Sequence, residues 1–340
     1  MPVVSSFDTP FGSRIFATLA GIALLACASG DAAAQAQAWK PQKTVELVVP
    51  GNPGDSVDRT LRLVHSIWQA DQPAQFTSAV VNKPGGGQSV SWAYLAQHKA
   101  DGHYLAVTSP TLLIRRITGQ STTSHEKDVT PVALLFDEYL SVMVRADSPI
   151  KTGRDLIEKL KADPRALTIG VSPGLAGPPH LAIALALKAG GVDVSKLRNV
   201  VFDGSSKSVT AVLGGHVDVA TLPVSVVAAH LQSGDARVIA VSSPERLGGP
   251  FASVPTWIEQ GVNASFGNWR AIIAPAELPP AQIAYWDAKF AATVGDSEWR
   301  GDLDKNVWSA KYLNSAQTRA FLDEQYAALR GVLADLGMAK

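Results

Sequence analysis

The chain has 340 residues, 30 Lys+Arg balanced by 30 Asp+Glu, 46% hydrophobic residues and one cysteine. At about 100–200 residues per domain, this length points to two domains, each able to bury an ordinary core. Zero formal charge, with no basic cluster beyond Arg115-Arg116, argues against a nucleic-acid partner, and a lone cysteine excludes an internal disulfide or a cysteine-built metal site.

The N-terminus reads as an export signal. Arg14 precedes an apolar stretch over residues 15–26 that is short for a membrane span, and the tract Ala32-Ala33-Ala34-Gln35-Ala36-Gln37-Ala38 offers A-x-A cleavage sites. Residues 1–38 are therefore expected to be removed, within a few residues at the end, and the protein to be exported. Loss of Arg14, Asp8 and Asp31 leaves 29 positive and 28 negative residues, and Cys27 goes with the leader. The competing reading cleaves before Cys27, in Leu24-Leu25-Ala26-Cys27, and makes that residue a lipid anchor. Leu25 is bulky for such a box, and the A-x-A tract would then have no purpose.

Short β-rich runs then alternate with helical ones. Thr44-Val45-Glu46-Leu47-Val48-Val49, ended by Pro50-Gly51, reads as a strand. A helix over 58–70 follows, with Leu61, Val64 and Trp68 at helical spacing and Asp55, Ser56 and Asp58 available as caps. The unit recurs: strand 76–81 before Lys83-Pro84-Gly85-Gly86-Gly87-Gln88-Ser89 and a helix to about 97, strand 104–108, strand 166–171 before helix 180–189, strand 217–220 before Pro223 and a helix, and strand 237–241. Such alternation predicts an α/β fold with parallel sheets and helices on both faces. The extended run 140–145 and the loop-rich tract 244–256 read as two crossings between domains. They give a discontinuous first domain (39–142 plus 245–340) and a second over 143–244. A C-terminal helix carrying Phe321, Leu322, Leu329, Val332, Leu333 and Leu336 on one face is expected to pack back on the first domain.

Among candidate motifs, Gly170-Val171-Ser172-Pro173-Gly174 matches the nucleophile elbow G-x-S-x-G after a strand. An elbow helix starts directly after its serine, whereas Leu175-Ala176-Gly177-Pro178-Pro179 intervenes, and no histidine follows His230. A hydrolase using Ser172 is the minor alternative. The Gly-rich loop 83–89 lacks the G-K-[ST] ending of a P-loop and reads equally as a tight turn. Seven scattered histidines with no H-E-x-x-H predict no metal, and no cofactor is expected. Trp269, in an apolar strand spanning 267–273, is read first as core and second as a cleft-lining residue.

A more coherent pattern lies in the loops after strands: residues 51–56, 108–111, 172–177 and 204–206 are rich in Gly, Ser, Thr and Pro. In open α/β sheets, ligands bind beyond the carboxyl ends of strands, where such loops and helix N-termini offer N–H groups and hydroxyls to an anion. A micromolar ligand needs about 8 kcal/mol, and each hydrogen bond to a charged group gives roughly 1.5–3 kcal/mol, so four or five suffice without a basic residue. Ser109, Thr111, Ser205 and Ser206 are candidates on this ground.

The exported leader, Val48-Val49-Pro50-Gly51-Asn52-Pro53-Gly54, Val81-Asn82-Lys83-Pro84-Gly85-Gly86-Gly87, Ala100-Asp101-Gly102-His103-Tyr104, Gly214-Gly215-His216-Val217-Asp218-Val219 and Val254-Pro255-Thr256 together resemble the substrate-binding receptors of tripartite tricarboxylate transporters, the Bug or TctC family. The resemblance spans nearly all of the mature chain. It implies a two-domain periplasmic binding protein of type II architecture, not an enzyme, closing a cleft on a small organic acid and delivering it to the integral membrane subunits of a secondary transporter, itself acting as a monomer. It carries the ligand loop to Asn52, Pro53, Gly54, Asp55 and Ser56, and its second-domain counterpart to Ser172, Gly174 and Gly177, ahead of His180. Two departures matter: Asp55 stands where relatives have a second glycine, and Pro178-Pro179 where they have hydroxyls. If Asp55 caps a helix, the ligand is a di- or tricarboxylate or an aromatic carboxylate. If it faces the cleft, an amino acid or similar zwitterion fits. A regulatory effector domain of the same broad fold is disfavoured by the leader and by the lack of a preceding helix-turn-helix.

Overall fold

The computed structural model describes residues 39–71, 76–172 and 174–340; the expected signal and Cys27 lie outside them. In chain order the main elements are β1 (Val45–Val49), α1 (Ser56–Asp71), β2 (Ser78–Asn82), α2 (Ser89–Ala96), β3 (Tyr104–Thr108), α3 (Thr111–Ile117), β4 (Val129–Asp137) and β5 (Leu140–Arg145). They continue with α4 (Gly153–Ala162), β6 (Thr168–Val171), α5 (Pro178–Ala189), β7 (Arg198–Val201), α6 (Ser205–Leu213), β8 (Val219–Pro223), α7 (Val224–Ser233) and β9 (Ala236–Val241). The last are β10 (Arg270–Pro275), α8 (Pro280–Gly295), α9 (Ser297–Asn306), β11 (Ser309–Leu313) and α10 (Ser315–Asp335).

Two sheets organise these elements, one per lobe. The first is ordered β11-β4-β10-β3-β1-β2 and the second β7-β6-β8-β5-β9. Their βα units pair in parallel, with Val48 opposite both Val81 and Ala106. The sheets are nevertheless mixed, which corrects the all-parallel expectation: β10 runs antiparallel between β3 and β4, and β5 antiparallel between β8 and β9. These are the strands that follow a change of sheet, and a chain arriving from the other lobe is not held to the handed βαβ crossover.

The chain changes sheet over Glu138-Tyr139, between β4 and β5, and returns after β9 to enter β10. The expected boundary at 142–143 therefore falls inside β5. The two passages lie side by side: Tyr139 bridges Gly267 in antiparallel fashion, and the Asn268 N–H donates to the Glu138 carbonyl at 2.8 Å.

Period-two alternation places the second core. Val142 and Val144 of β5 join Leu156, Leu160, Ile169 and Leu187 on one face, while Met143 joins Val209, Val212 and Val227 on the other. The helix covering the first face, α4, starts at a capping box in which Thr152 accepts from the Asp155 N–H and Asp155 accepts from the Thr152 N–H. In the first lobe, α10 packs on β4 and α3 and buries Leu322, Leu329 and Leu333. Leu181 and Ala182 of α5 belong to that same cluster, with Trp269 and Leu329, so a helix of the second lobe is seated in the first lobe's core.

Candidate functional site

The carboxyl ends of β1, β2, β3, β6, β7 and β8 open into one cleft of about 420 Å³, in the size range of small-molecule sites. Its first wall is the loop after β1. Gly51 lets the chain pass close to α1, since a Cβ there would lie 2.7 Å from the Val57 Cγ2. Gly54, at φ +87°, takes a conformation other residues rarely adopt. Asp58, almost fully buried in α1, holds this loop. Its carboxylate accepts from the Gly54 N–H at 2.8 Å, the Arg62 Nε at 2.7 Å and the Asn82 Nδ2 at 2.9 Å. Asn82 also donates to the Gly51 carbonyl. Burial pushes the Asp58 carboxyl up, but these donors outweigh it and hold it below the usual range.

Asp55 turns back on its own loop, Oδ2 accepting from the Asn52 N–H at 2.8 Å, while remaining exposed at the cleft wall. From the Gly-rich loop, Gly85, Gly87 and Gln88 line the cleft, and Gln88 donates to the Ser109 Oγ. Ser109 in turn donates to the Thr111 Oγ1 at 3.0 Å.

The opposite wall carries Ser172, Pro178, Pro179, Asp203, Gly204, Ser205 and Pro223. Helices α1, α5, α6 and α7 all begin at this cleft, so their first-turn N–H groups and dipoles are directed at it, although Pro178 and Pro179 remove two donors from α5. The Ser172 hydroxyl is buried and has no protein partner. The loop that follows it is held by His180, whose Nδ1 accepts from the Ala176 N–H at 3.2 Å. Burial lowers the His180 pKa to about 4, so the ring is neutral and its proton sits on Nε2, facing the Asn199 amide. The amide orientation presenting Oδ1 to that proton satisfies an otherwise unpartnered atom. The Lys207 ammonium beside Asp203 holds that carboxyl below the usual range.

Of the residues named from sequence, Asn52, Asp55, Ser56, Ser109, Thr111, Ser172 and Ser205 meet at this cleft. Pro53 and Gly54 belong to the first loop without lining it. Gly174 and Gly177 line a small adjoining pocket of about 60 Å³, and Ser206 a shallow exposed groove with Lys207 and His216. Trp269 is buried and lines a separate cavity of about 350 Å³ with Phe321 and Lys311. Successive side chains on an extended chain point to opposite faces, so it is the neighbouring Arg270 that reaches the cleft. Anion binding needs no basic residue on hydrogen-bond energies alone, yet this cleft carries one. Arg270 and its buried partner Glu138 were missed, and the signal was two charges embedded in apolar runs, a placement tolerated only for paired ions. Among the described residues, His125, Glu126 and Asp323 bring potential metal-ligand atoms within 4.8 Å of one another. The last two are exposed, and His125 is already bonded to Asp323.

Residues 69–338 match the family model described as the tripartite tricarboxylate transporter family receptor, TctC. The chain belongs to that family. This TctC receptor is 31% identical over 335 residues to the UPF0065 protein in gbd 5'region of Cupriavidus necator, covering 96% of this chain and 98% of the relative. It is 24% identical to protein BugT of Bordetella pertussis, covering 94% and 97%. Its fold resembles that of Rhodopseudomonas palustris Rpa4515, solved with adipate, at TM-score 0.78 and 23% identity over 88% of this chain and 99% of that one. It also resembles MatC from the same organism, solved with malate, at TM-score 0.73 and 21% identity over 86% and 99%. TctC proteins are periplasmic binding receptors, not enzymes, and the Ser172 elbow agrees: its hydroxyl has no histidine partner, because His180 is committed to Ala176 and Asn199. Among the described residues, no helix is long and apolar enough to cross a membrane.

Proposed function

We propose that this receptor captures a small organic anion, a di- or tricarboxylate or an aromatic carboxylate, between its two lobes, and presents it to the integral membrane subunits of a tripartite tricarboxylate-type transporter. The observation that carries this reading is the convergence of four helix starts and the buried, uncommitted Ser172 hydroxyl on one cleft. Such a surface stabilises negative charge through N–H and O–H donors. The adipate and malate held by R. palustris Rpa4515 and MatC support a carboxylate. The receptor works as an exported monomer, its signal cleaved near Ala38, with a lipid anchor at Cys27 as the alternative; the mass of the mature protein distinguishes them.

A second reading, an amino acid or other zwitterion, draws on Asp55 and Asp203 at the same cleft. Thermal-shift screening tests both, since a ligand that binds only the folded state raises Tm. Carboxylates are expected to raise Tm, and Asp55→Asn to hold or improve their affinity. A shift with amino acids alone, abolished by Asp55→Asn, would replace the first reading with the second.

A further inference from the structure

The inner wall of the cleft is built around Glu138, fully buried at the crossing between lobes. Its Oε2 accepts from Arg270 Nη2 at 2.5 Å, Ser56 Oγ at 3.1 Å and Asn268 Nδ2 at 3.4 Å. Its Oε1 accepts from Ser225 Oγ at 2.6 Å and Trp308 Nε1 at 3.0 Å.

Arg270 is the one basic residue among the described residues lining the cleft, and its charge is already matched. Nη1 donates to the carbonyls of Asn268 and Trp269 at 2.6 and 3.2 Å, and Nη2 to Ser56 Oγ at 3.0 Å as well as to Glu138. Four of the five guanidinium N–H groups are thus spent on protein atoms, and the fifth, on Nε, is unpartnered but buried out of reach of a ligand. Ser56 has one hydroxyl proton, directed to Glu138, and it also accepts from Arg270, so what it retains for a ligand is a lone pair. The residue that sequence patterning marks as an anion donor is therefore an acceptor.

Asp55 adds negative charge at the same cleft, whose other acidic residue, Asp203, is paired with Lys207, and Pro50, Val57, Pro84, Pro178, Pro179 and Pro223 give it apolar surface. A carboxylate placed against the inner wall would lose hydration and find no uncommitted cation, with the buried Glu138 carboxylate behind it. A hydroxyl or primary amide loses far less and can donate to Ser56.

We infer that the inner wall selects a neutral hydrogen-bond donor and rejects a second carboxylate, so that the ligand is a monocarboxylate with a hydroxyl or amide at its far end. This rests on the reading above that the cleft captures a carboxylate and narrows it, setting the di- and tricarboxylates aside, with the single carboxylate at Ser172, Ser205 and the start of α6. Glu138 acts as a positioning residue, since it touches the ligand only through Ser56 and Arg270.

The test is titration calorimetry of the purified protein with matched acids: 6-hydroxyhexanoate, hexanoate and adipate, and 4-hydroxybenzoate, benzoate and benzene-1,4-dicarboxylate. In whichever series binds, the hydroxy acid is expected to bind at least tenfold tighter than the dicarboxylate of matching length. Glu138→Gln uncovers the Arg270 charge and should move that ratio at least tenfold toward the dicarboxylate. Ser56→Ala should cut the advantage of the hydroxy acid over the unsubstituted acid at least fivefold, and it carries the test if Glu138→Gln does not fold. A wild-type protein that binds the dicarboxylate as tightly as the hydroxy acid, or a ratio unmoved by the folded variants, overturns the inference while leaving carboxylate capture intact. Binding by none of the acids overturns the carboxylate reading itself, and this inference with it.

Discussion

Asp58→Ala removes the carboxylate that, together with Asn82, ties the first ligand loop to its helix and the neighbouring strand. Three donors lose their acceptor: the Gly54 N–H, Asn82 Nδ2 and Arg62 Nε. A hydrogen bond to a charged group contributes roughly 1.5–3 kcal/mol. The Arg62 side chain is 51% exposed, so its share falls to the surface ion-pair value of about 0–1 kcal/mol. Gly54 is exposed and its N–H regains water, which keeps the other two near the low end. The loss is then about 3 kcal/mol, or roughly 6 °C in Tm for a domain of this size. Because the Asp58 pKa is depressed in the folded state, this contribution is present above the ordinary carboxylate pKa and is lost as pH falls through the folded value. Thermal and urea unfolding at neutral pH measure it, and ligand titration should find weaker capture, because residues 51–54 are no longer fixed. A variant that melts within about 1 °C of wild type, with affinity unchanged, would refute the assignment of Asp58 as the loop's anchor.

His180 gives a pH signature. The unfolded ring takes up its proton near 6.5 and the folded ring only near 4, so stability is complete above pH 6.5 and declines by roughly 3 kcal/mol as pH falls from 6.5 to 4. His180→Gln should remove this part of the slope from urea unfolding curves, and an identical slope in both proteins would disprove it. Thr152→Ala breaks the capping box of α4 and should cost about 1 kcal/mol, read as a lower urea midpoint at unchanged m-value.

How legible the fold was depended on how local its signals are. The loop between β1 and α1 could be read directly, because a β-branched run, Pro50-Gly51 and acidic caps follow one another within a few residues. The helix α10 was equally legible from the spacing of Leu322, Leu329 and Leu333. By contrast β11 is a half-exposed edge strand, Ser309–Leu313, with neither alternation nor a turn signal, and pairing with β4 makes it a strand. The antiparallel placement of β5 and β10 follows from where the chain enters each sheet, a non-local fact. At the site, Ser172 and Asn52 were found because loops after strands share a chemistry. Trp269 reads first as core and only second, on the apolar character of pockets, as cleft lining; it is buried, and the alternation of the extended chain gives the cleft to Arg270 instead. Glu138 and Arg270 lie 132 positions apart in the chain, and nothing in either neighbourhood announces the other.

The seating of Leu181 and Ala182 among Trp269, Leu322 and Leu329 sets how the lobes can move. A motion that lifted the second lobe straight away would pull these side chains out of a dry cluster and expose apolar surface on both sides. The apolar contact thus fastens the two lobes of this receptor to each other beside the cleft as well as through the chain crossings.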